Sequence, residues 1–459
     1  MTTSDIVPAG AGESDRAAFR AGPVDELSRA RLAQSGLDYR RVSVADDEFG
    51  SWLQSVARGF LDGERSDAQV DATRERSGYR RLTGVYDPQA PVADAPVASI
   101  ASWLGDLAVP GGALIPSCAI SAVTVSPTHR RRGIARAMLE GELRAAQAAG
   151  IPIAMLTVSE STLYGRYGFA PAARRAGWRI DTKRAGWIGP RPEGRIDFIP
   201  RERARQLMPV LHDRVRHLTA GEIDVPGSHW DNFAGTSPVA EKAGEKRAVQ
   251  YTDPAGDVGG VAIYTVHPDD EDFTKAKVSV NYLVAADDDA YAALWRFLLE
   301  LDLVAEVSSH ELSVDEPLLW MIADQRAASV SIFDHQYVRI IDVVASLETR
   351  CYGAAGSLVL DVDDALGLSA GRYLLETAAD GSGRVRRLDD GETVDAVVLT
   401  LGIAELSATY LGGVSVATLA RAGRVTAQAG GAASTSSEAV ATASRVFGWH
   451  TAPRLSIWY

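Results

Sequence analysis

The sequence predicts a multidomain protein of α/β and α+β class, and three observations carry that expectation. Its 459 residues exceed one ordinary core and suggest about three domains at a typical domain size. Apolar periodicity switches repeatedly between the strand period and the helix period along the chain. A strand–strand–strand–helix order occurs twice, as a diverged internal duplication would give, and a segment of different layout follows it.

Residues 1–37 are rich in Ala, Gly, Asp and Arg without a clear apolar period. They read as a mobile leader, with room for one short helix at 24–34. Order starts at DYRRVSV (38–44), which alternates like a strand. A helix follows, with Phe49, Trp52, Leu53, Val56 and Phe60 on one face. Strand patterns at 79–86, 96–104 and 118–125 precede a helix over 131–149, which carries Ala135, Met138, Leu139, Leu143 and Ala146 inward. The apolar strand IPIAMLTVS (151–159) completes a first domain over 38–186.

The turn-rich segment GWIGPRPEG (187–195) reads as a linker into a second domain over 187–337. There a helix (201–216) is followed by strands near 246–252, 258–266 and 276–284. A further helix at 287–302 presents Tyr291, Leu294, Trp295, Leu298 and Leu299. The third domain, 338–459, has strands at 357–362, 371–377, 384–388 and 395–401. Helices near 403–411, 415–422 and 435–446 follow, and the sequence closes on an apolar tail, RLSIWY.

Charge and composition exclude several functions. Sixty acidic against 47 basic residues give a net charge of −13, which disfavours nucleic acid or an anionic membrane as main partner. A cationic small substrate suits that field. No run approaches the roughly 20 apolar residues of a membrane helix, so no integral membrane association is expected. The first residues carry acids and no apolar h-region, unlike a secretory signal. Cys118 and Cys351 lie too far apart to suggest a disulfide framework or a thiolate zinc site, so no metal is expected and the protein fits a reducing cytoplasm.

The chemistry-bearing stretch is ISAVTVSPTHRRRGIARAML (120–139): a strand, a proline turn, three arginines, a glycine, then a helix. A helix N-terminus presents unpaired N–H groups and partial positive charge, which suits a diphosphate. Gly133 lets the backbone approach phosphates, Ala135 keeps the first turn thin, and Arg130 and Arg131 add charge-assisted hydrogen bonds. No lysine follows the glycine as in a P-loop, and GxGxxG is absent, so nucleotide hydrolysis and dinucleotide binding fit poorly. A solvated basic turn is the bland alternative. A second segment, SESTLYGRYGFAPA (159–172), is rich in turns and contains Tyr164. A phenol stays protonated at neutral pH and can donate to a leaving thiolate, although a core aromatic has the same sequence appearance.

The strand Val123-x-Val125 followed by Arg130-x-x-Gly133-x-Ala135 resembles the coenzyme A-binding motif of the GNAT acetyltransferase superfamily. The resemblance implies that the strand backbone pairs with the pantetheine arm and that the loop amides, including that of Ile134, cradle the pyrophosphate. It makes Tyr164 the tyrosine beside the thioester sulfur and Ser159 a contact of the cofactor arm. SPTHRRRGIARAM with SESTLYGRYGFAPA, in a three-domain chain with a diverged second copy, is similar to the Eis (enhanced intracellular survival) family over roughly 38–459. That similarity implies a GNAT domain, a degenerate GNAT-like domain and a sterol-carrier-protein-like C-terminal domain. It further implies acetyl-CoA as co-substrate, acetylation of aminoglycoside amines or lysine side chains, and a homo-oligomer that is a hexamer. The degenerate copy shows Asp287, Asp288 and Asp289 where a phosphate loop would lie, which favours a helix start but repels a diphosphate. One active site per chain is therefore expected.

Family members use the C-terminal α-carboxylate as general base, a group that the resemblance assigns here to Tyr459. Asp62 aligns with an acidic substrate contact, with Glu64 beside it as a substitute, and Ala122 lines the substrate pocket. The sequence departs from relatives at Trp458, where they carry a carboxylate, and at Ala122, where an aminoglycoside-modifying member carries an aromatic. Direct attack of the amine on the thioester is expected, with the oxyanion held by strand amides near Val123. No nucleophile motif surrounds Cys118. The alternatives are a lysine acetyltransferase acting on peptides or proteins and, from another class, a lipid-binding protein with a vestigial GNAT portion.

Overall fold

The computed structural model describes residues 10–240, 242–429 and 435–459, and these divide into two compact units. The first unit holds the described residues up to Ala173 together with Gln336–Thr451 and Tyr459. The second holds Arg174–His335 and Ala452–Trp458.

The first unit begins with helices α1 (Glu13–Ala21) and α2 (Glu26–Ala33), strand β1 (Asp38–Val42) and helices α3 (Glu48–Gly59) and α4 (Asp67–Arg76). Strands β2 (Arg81–Tyr86), β3 (Ala98–Ala108) and β4 (Leu114–Val125), helix α5 (Ile134–Ala148), strand β5 (Ile153–Thr157) and the short helix α6 (Ser161–Tyr164) follow. Strands β1 to β4 pair antiparallel in sequence order, and β5 joins β4 in parallel. Side-chain alternation divides the sheet. Ile100, Leu104 and Ile120 enter a core with Met138, Leu139 and Leu143 of α5, whereas Leu82 and Ala101 meet Phe49 and Trp52 of α3. Each large side chain buried there contributes about 1.5–3 kcal/mol.

The expected mobile leader is corrected over residues 10–37. Both helices are docked: Phe19 and Leu32 are buried in the α5 core, Arg16 pairs with Asp106 at 3.0 Å, and Arg144 pairs with Asp25 at 2.7 Å. Arg81, itself in a buried ion pair with Glu142 at 3.1 Å, donates to the carbonyl of Pro23 at 2.7 Å. These partners lie far away in sequence, so the segment's own weak periodicity does not reveal them. Residues 1–9 of the predicted leader lie outside the described residues.

The second unit contains strand β6 (Ala170–Asp181, from Arg174 on), helix α7 (Thr182–Ala185), strand β7 (Arg195–Ile199) and helices α8 (Arg201–Val215) and α9 (Gly227–Ala234). Strands β8 (Lys246–Thr252), β9 (Val258–His267) and β10 (Ala276–Ala285), helix α10 (Asp288–Leu299), strand β11 (Val304–Leu312) and the first part of β12 (Ala328–Ile340) complete it. Its strands run in the order β6-β11-β10-β9-β8-β7, with β10 and β11 parallel. The unit starts at Arg174 rather than after the predicted boundary at 186, because β6 already pairs with β11 from Ala176 onward. The predicted internal repeat has a structural signature. β10 bulges against β9 between Val280 and Tyr282, as β4 bulges against β3, and each bulged strand leads into a helix. Asp287 caps α10 by accepting from the Ala290 amide at 2.8 Å, so a side chain of the chain itself already serves that helix start.

Back in the first unit, residues 336–340 of β12 pair antiparallel with β5, Arg339 lying opposite Ala154. Helix α11 (Val343–Thr349) and strands β13 (Gly356–Asp363), β14 (Gly371–Thr377), β15 (Gly383–Arg387) and β16 (Val397–Gly402) come next. Helices α12 (Ile403–Thr409) and α13 (Val416–Arg421), strand β17 (Val425–Gln428) and helix α14 (Ser436–Phe447) end the domain. Its five strands order as β15-β14-β13-β16-β17. Among the described residues, no helix is long and apolar enough to cross a membrane.

Candidate active site

The site is built where β4 and β5 part. Their parallel pairing runs from Ser117 opposite Ile153 to Ile120 opposite Leu156, after which β4 continues to Val125. A bulge in β4 marks that point: Thr124 lies opposite Ser99 and Ser121 opposite Ala101, with Ala122 at φ 51°. The Ser99 hydroxyl braces it, donating to the Ala122 carbonyl at 3.0 Å and meeting the Thr124 hydroxyl at 2.8 Å. Ala122 then faces the α3 core, while Val123 and Val125 face the α5 core.

Beyond β4 the chain turns through Pro127–His129 into the arginine loop. Arg131 has φ 63° and Gly133 has φ 76°, so two left-handed residues bend this loop immediately before Ile134, the first residue of α5. Glycine takes that conformation at little cost. No side chain caps this helix, which leaves the first amides, from Ile134 and Ala135, available to an anion. The three arginines divide. Arg132 lies 3.7 Å from Asp87, which also holds His129 at 3.0 Å, whereas among the described residues no carboxylate is paired with the exposed Arg130 or Arg131. Hydrogen bonds from the Gln89 amide and His129 hold the Asp87 carboxyl below its usual range. The residues therefore fit a diphosphate: two exposed guanidinium groups, an uncapped helix start and a backbone able to come close.

On the other side of the parting strands, Tyr164 ends α6. Its side chain is buried beside Phe169, with ring centroids 6.3 Å apart, and hydrogen-bonds with Ser159. Burial raises the phenol pKa above its ordinary value, which keeps the proton in place. The structure thus brings Ser159 and Tyr164 together. It also seats Tyr459 at the last residue of β5. The Thr157 hydroxyl donates to the main-chain oxygen of Tyr459 and accepts from its amide at 3.2 Å. The Tyr459 ring packs edge-on against Trp103 at 5.0 Å, and its buried hydroxyl has no hydrogen-bond partner among the described residues. Burial pushes that phenol well above its ordinary pKa. Within the second unit the preceding tail is also held. Ser456 donates to Glu222 through its amide at 3.2 Å and its hydroxyl at 2.9 Å, and His335 Nε2 meets the Ile457 carbonyl at 2.9 Å.

Asp62 is placed differently. It is exposed and paired with Arg65 at 2.6 Å, so its carboxylate already has a local cation; Glu64 beside it is exposed. Its loop is nonetheless tied to β4, because Gly59 approaches the Thr124 side chain closely enough that a Cβ would lie 2.4 Å from it. Cys118 is fully buried, and desolvation raises its pKa well above the ordinary thiol value, which makes it a poor nucleophile. Sequence reasoning missed Thr157, Trp103 and Ser99. Thr157 left one signal, a lone polar side chain closing an apolar strand run, while the other two became relevant only through pairing.

Comparison with known proteins agrees with this layout. Residues 38–172 and 221–340 each match an acetyltransferase (GNAT) domain, and 343–456 match a sterol carrier protein domain. An uncharacterised N-acetyltransferase of Streptomyces avermitilis is 36% identical over 414 residues, covering 88% of this chain and 96% of its own. The N-acetyltransferase Eis of Mycobacterium bovis is 32% identical over 330 residues, covering 70% of this chain and 76% of its own. Among solved structures, Eis1 from Mycobacterium abscessus superimposes with a TM-score of 0.76 at 28% identity, covering 92% of this chain and all of that one.

Proposed function

Since the chain belongs to the Eis family of GNAT N-acetyltransferases and is an acetyltransferase, we propose that it moves an acetyl group from acetyl-CoA to an amine of a cationic small molecule such as an aminoglycoside. The observation that carries this proposal is the convergence at one end of β4: a bulged strand leaving its neighbour, an uncapped helix start with exposed Arg130 and Arg131, and the Ser159–Tyr164 pair. The net charge of −13 supports a cationic acceptor.

In the proposed reaction the diphosphate of acetyl-CoA lies on the amides of Gly133, Ile134 and Ala135 and on Arg130 and Arg131. The pantetheine arm runs along Val123 to Val125 and past Ser159. The amine attacks the thioester carbonyl directly, and the strand amide near Val123 holds the oxyanion. Tyr164 gives its proton to the departing thiolate, and the carboxylate of Tyr459, seated on Thr157, takes the proton released by the amine. Asp62 and Ala122 are assigned to the acceptor side. Assembly as a hexamer and residence in the cytoplasm belong to the same proposal.

Two measurements test it. Acetyl-CoA should raise the melting temperature by mass action, with a fatty acid as comparison ligand. Thiol release should follow on adding an aminoglycoside, a polyamine or a lysine peptide. A melting shift with the fatty acid alone, without thiol release from any amine, sinks the proposal in favour of lipid binding.

A further inference from the structure

Arg339 is an unusual residue to bury. It sits on β12 opposite Ala154 of β5, and its side chain is 0% exposed. Burial pulls its pKa down and Asp364 opposes that shift. A buried ion pair is costly in desolvation and is often replaceable by apolar residues without loss of stability, so stability alone is a weak reason for an arginine here.

All three guanidinium nitrogens donate, and their partners come from two domains. Nη2 pairs with Asp364 at 2.7 Å and Nη1 donates to the Ser369 hydroxyl at 3.0 Å, both within the sterol carrier protein match. Nη1 also donates to the Ile340 carbonyl. Asp364 is itself fixed, accepting from the Ser369 amide at 2.9 Å. The third nitrogen, Nε, donates the other way, to the carbonyl of Tyr167 at 2.9 Å. Tyr167 closes a single turn, Gly165–Tyr167, that starts directly on Tyr164. The next residue, Gly168, has φ +85°, and a Cβ there would lie 2.5 Å from Arg339 Nε and 2.8 Å from Ile403 of the C-terminal domain. The turn therefore packs against the C-terminal domain with no room to spare.

We propose that Arg339 is a positioning residue for Tyr164, clamping the turn that carries the phenol onto Asp364 and Ser369 of the sterol-carrier-like domain. The C-terminal domain thereby serves the reaction as the anvil on which the proton donor is held. This rests on Tyr164 being the general acid. A donor must stay within hydrogen-bond reach of the leaving group, and a shift of about 1 Å can cost roughly a hundredfold in rate.

The test removes both charges together, Arg339→Met with Asp364→Leu, and reads melting temperature, kcat and the KM for acetyl-CoA, in wild type and in a Tyr164→Phe background. The double variant should lose roughly tenfold to a hundredfold in kcat with KM for acetyl-CoA unchanged, and should lose nothing further once Tyr164 is phenylalanine. Gly168→Ala, which keeps the charges but pushes the turn off Arg339, should show the same pattern and decides the matter if the double variant does not fold. An unchanged kcat in the folded variants overturns the proposal, as does a full additional loss in the Tyr164→Phe background. If Tyr164→Phe alone is as active as wild type, it is the general-acid assignment that fails, and the two failures are distinguishable.

Discussion

Replacing Arg130 and Arg131 together by alanine isolates the phosphate cradle from the rest of the site. Three consecutive arginines look equivalent in sequence, but they differ in engagement: Arg132 is 3.7 Å from Asp87, and among the described residues Arg130 and Arg131 have no carboxylate partner. Both are exposed, so solvent screening reduces a charge-assisted hydrogen bond to about a fivefold effect each. The pair should therefore raise the KM for acetyl-CoA roughly twenty-fivefold, with the KM for the amine nearly unchanged. Arg132→Ala should change it less than about twofold, because that side chain mainly serves Asp87. Steady-state thiol release at varied acetyl-CoA gives the constants, and repeating it at higher salt should shrink the difference as screening grows. An unaltered KM in the double variant, or an equal effect from Arg132→Ala, would refute the assignment of the loop.

Further expectations concern the tail. Thr157→Val removes both hydrogen bonds to Tyr459 while keeping shape, so turnover should fall roughly tenfold with acetyl-CoA affinity by calorimetry retained; equal turnover argues against a carboxylate role. A C-terminal affinity tag, which replaces the carboxylate by an amide, should also cut turnover strongly. Tyr459→Phe keeps the carboxylate and removes a buried hydroxyl that has no partner among the described residues, so it should be active and as stable as wild type or more so. His335 provides a pH dependence: burial lowers its pKa from 6.5 to about 4. The folded state then resists protonation that the unfolded chain accepts. Stability is complete above about pH 6.5 and falls as pH drops towards 4, by on the order of 3 kcal/mol. Melting temperatures across that window should show the slope, and His335→Gln should flatten it.

The sequence by itself determined the repeated architecture and the make-up of the arginine loop, because both are local. Helix α5 and strands β3, β4 and β5 follow from apolar periods a few residues long. The arginine loop is written as consecutive residues before Gly133. The three aspartates at the start of α10 were equally legible, and the structure adds that Asp287 caps that helix. Tertiary structure decided what depends on partners distant along the chain. Helices α1 and α2 are short and weakly patterned, and they are fixed by Asp106, Arg81 and Arg144, residues roughly 60 to 120 positions away. That Arg132 is the engaged arginine was settled by Asp87, some 40 positions upstream. The seat of Tyr459 on Thr157 spans 302 positions, and the clamp of Arg339 on Tyr167 spans 172. Periodicity reports which face of an element is buried; it carries no record of which distant donor meets which acceptor, and in this protein those meetings position the groups assigned to the chemistry.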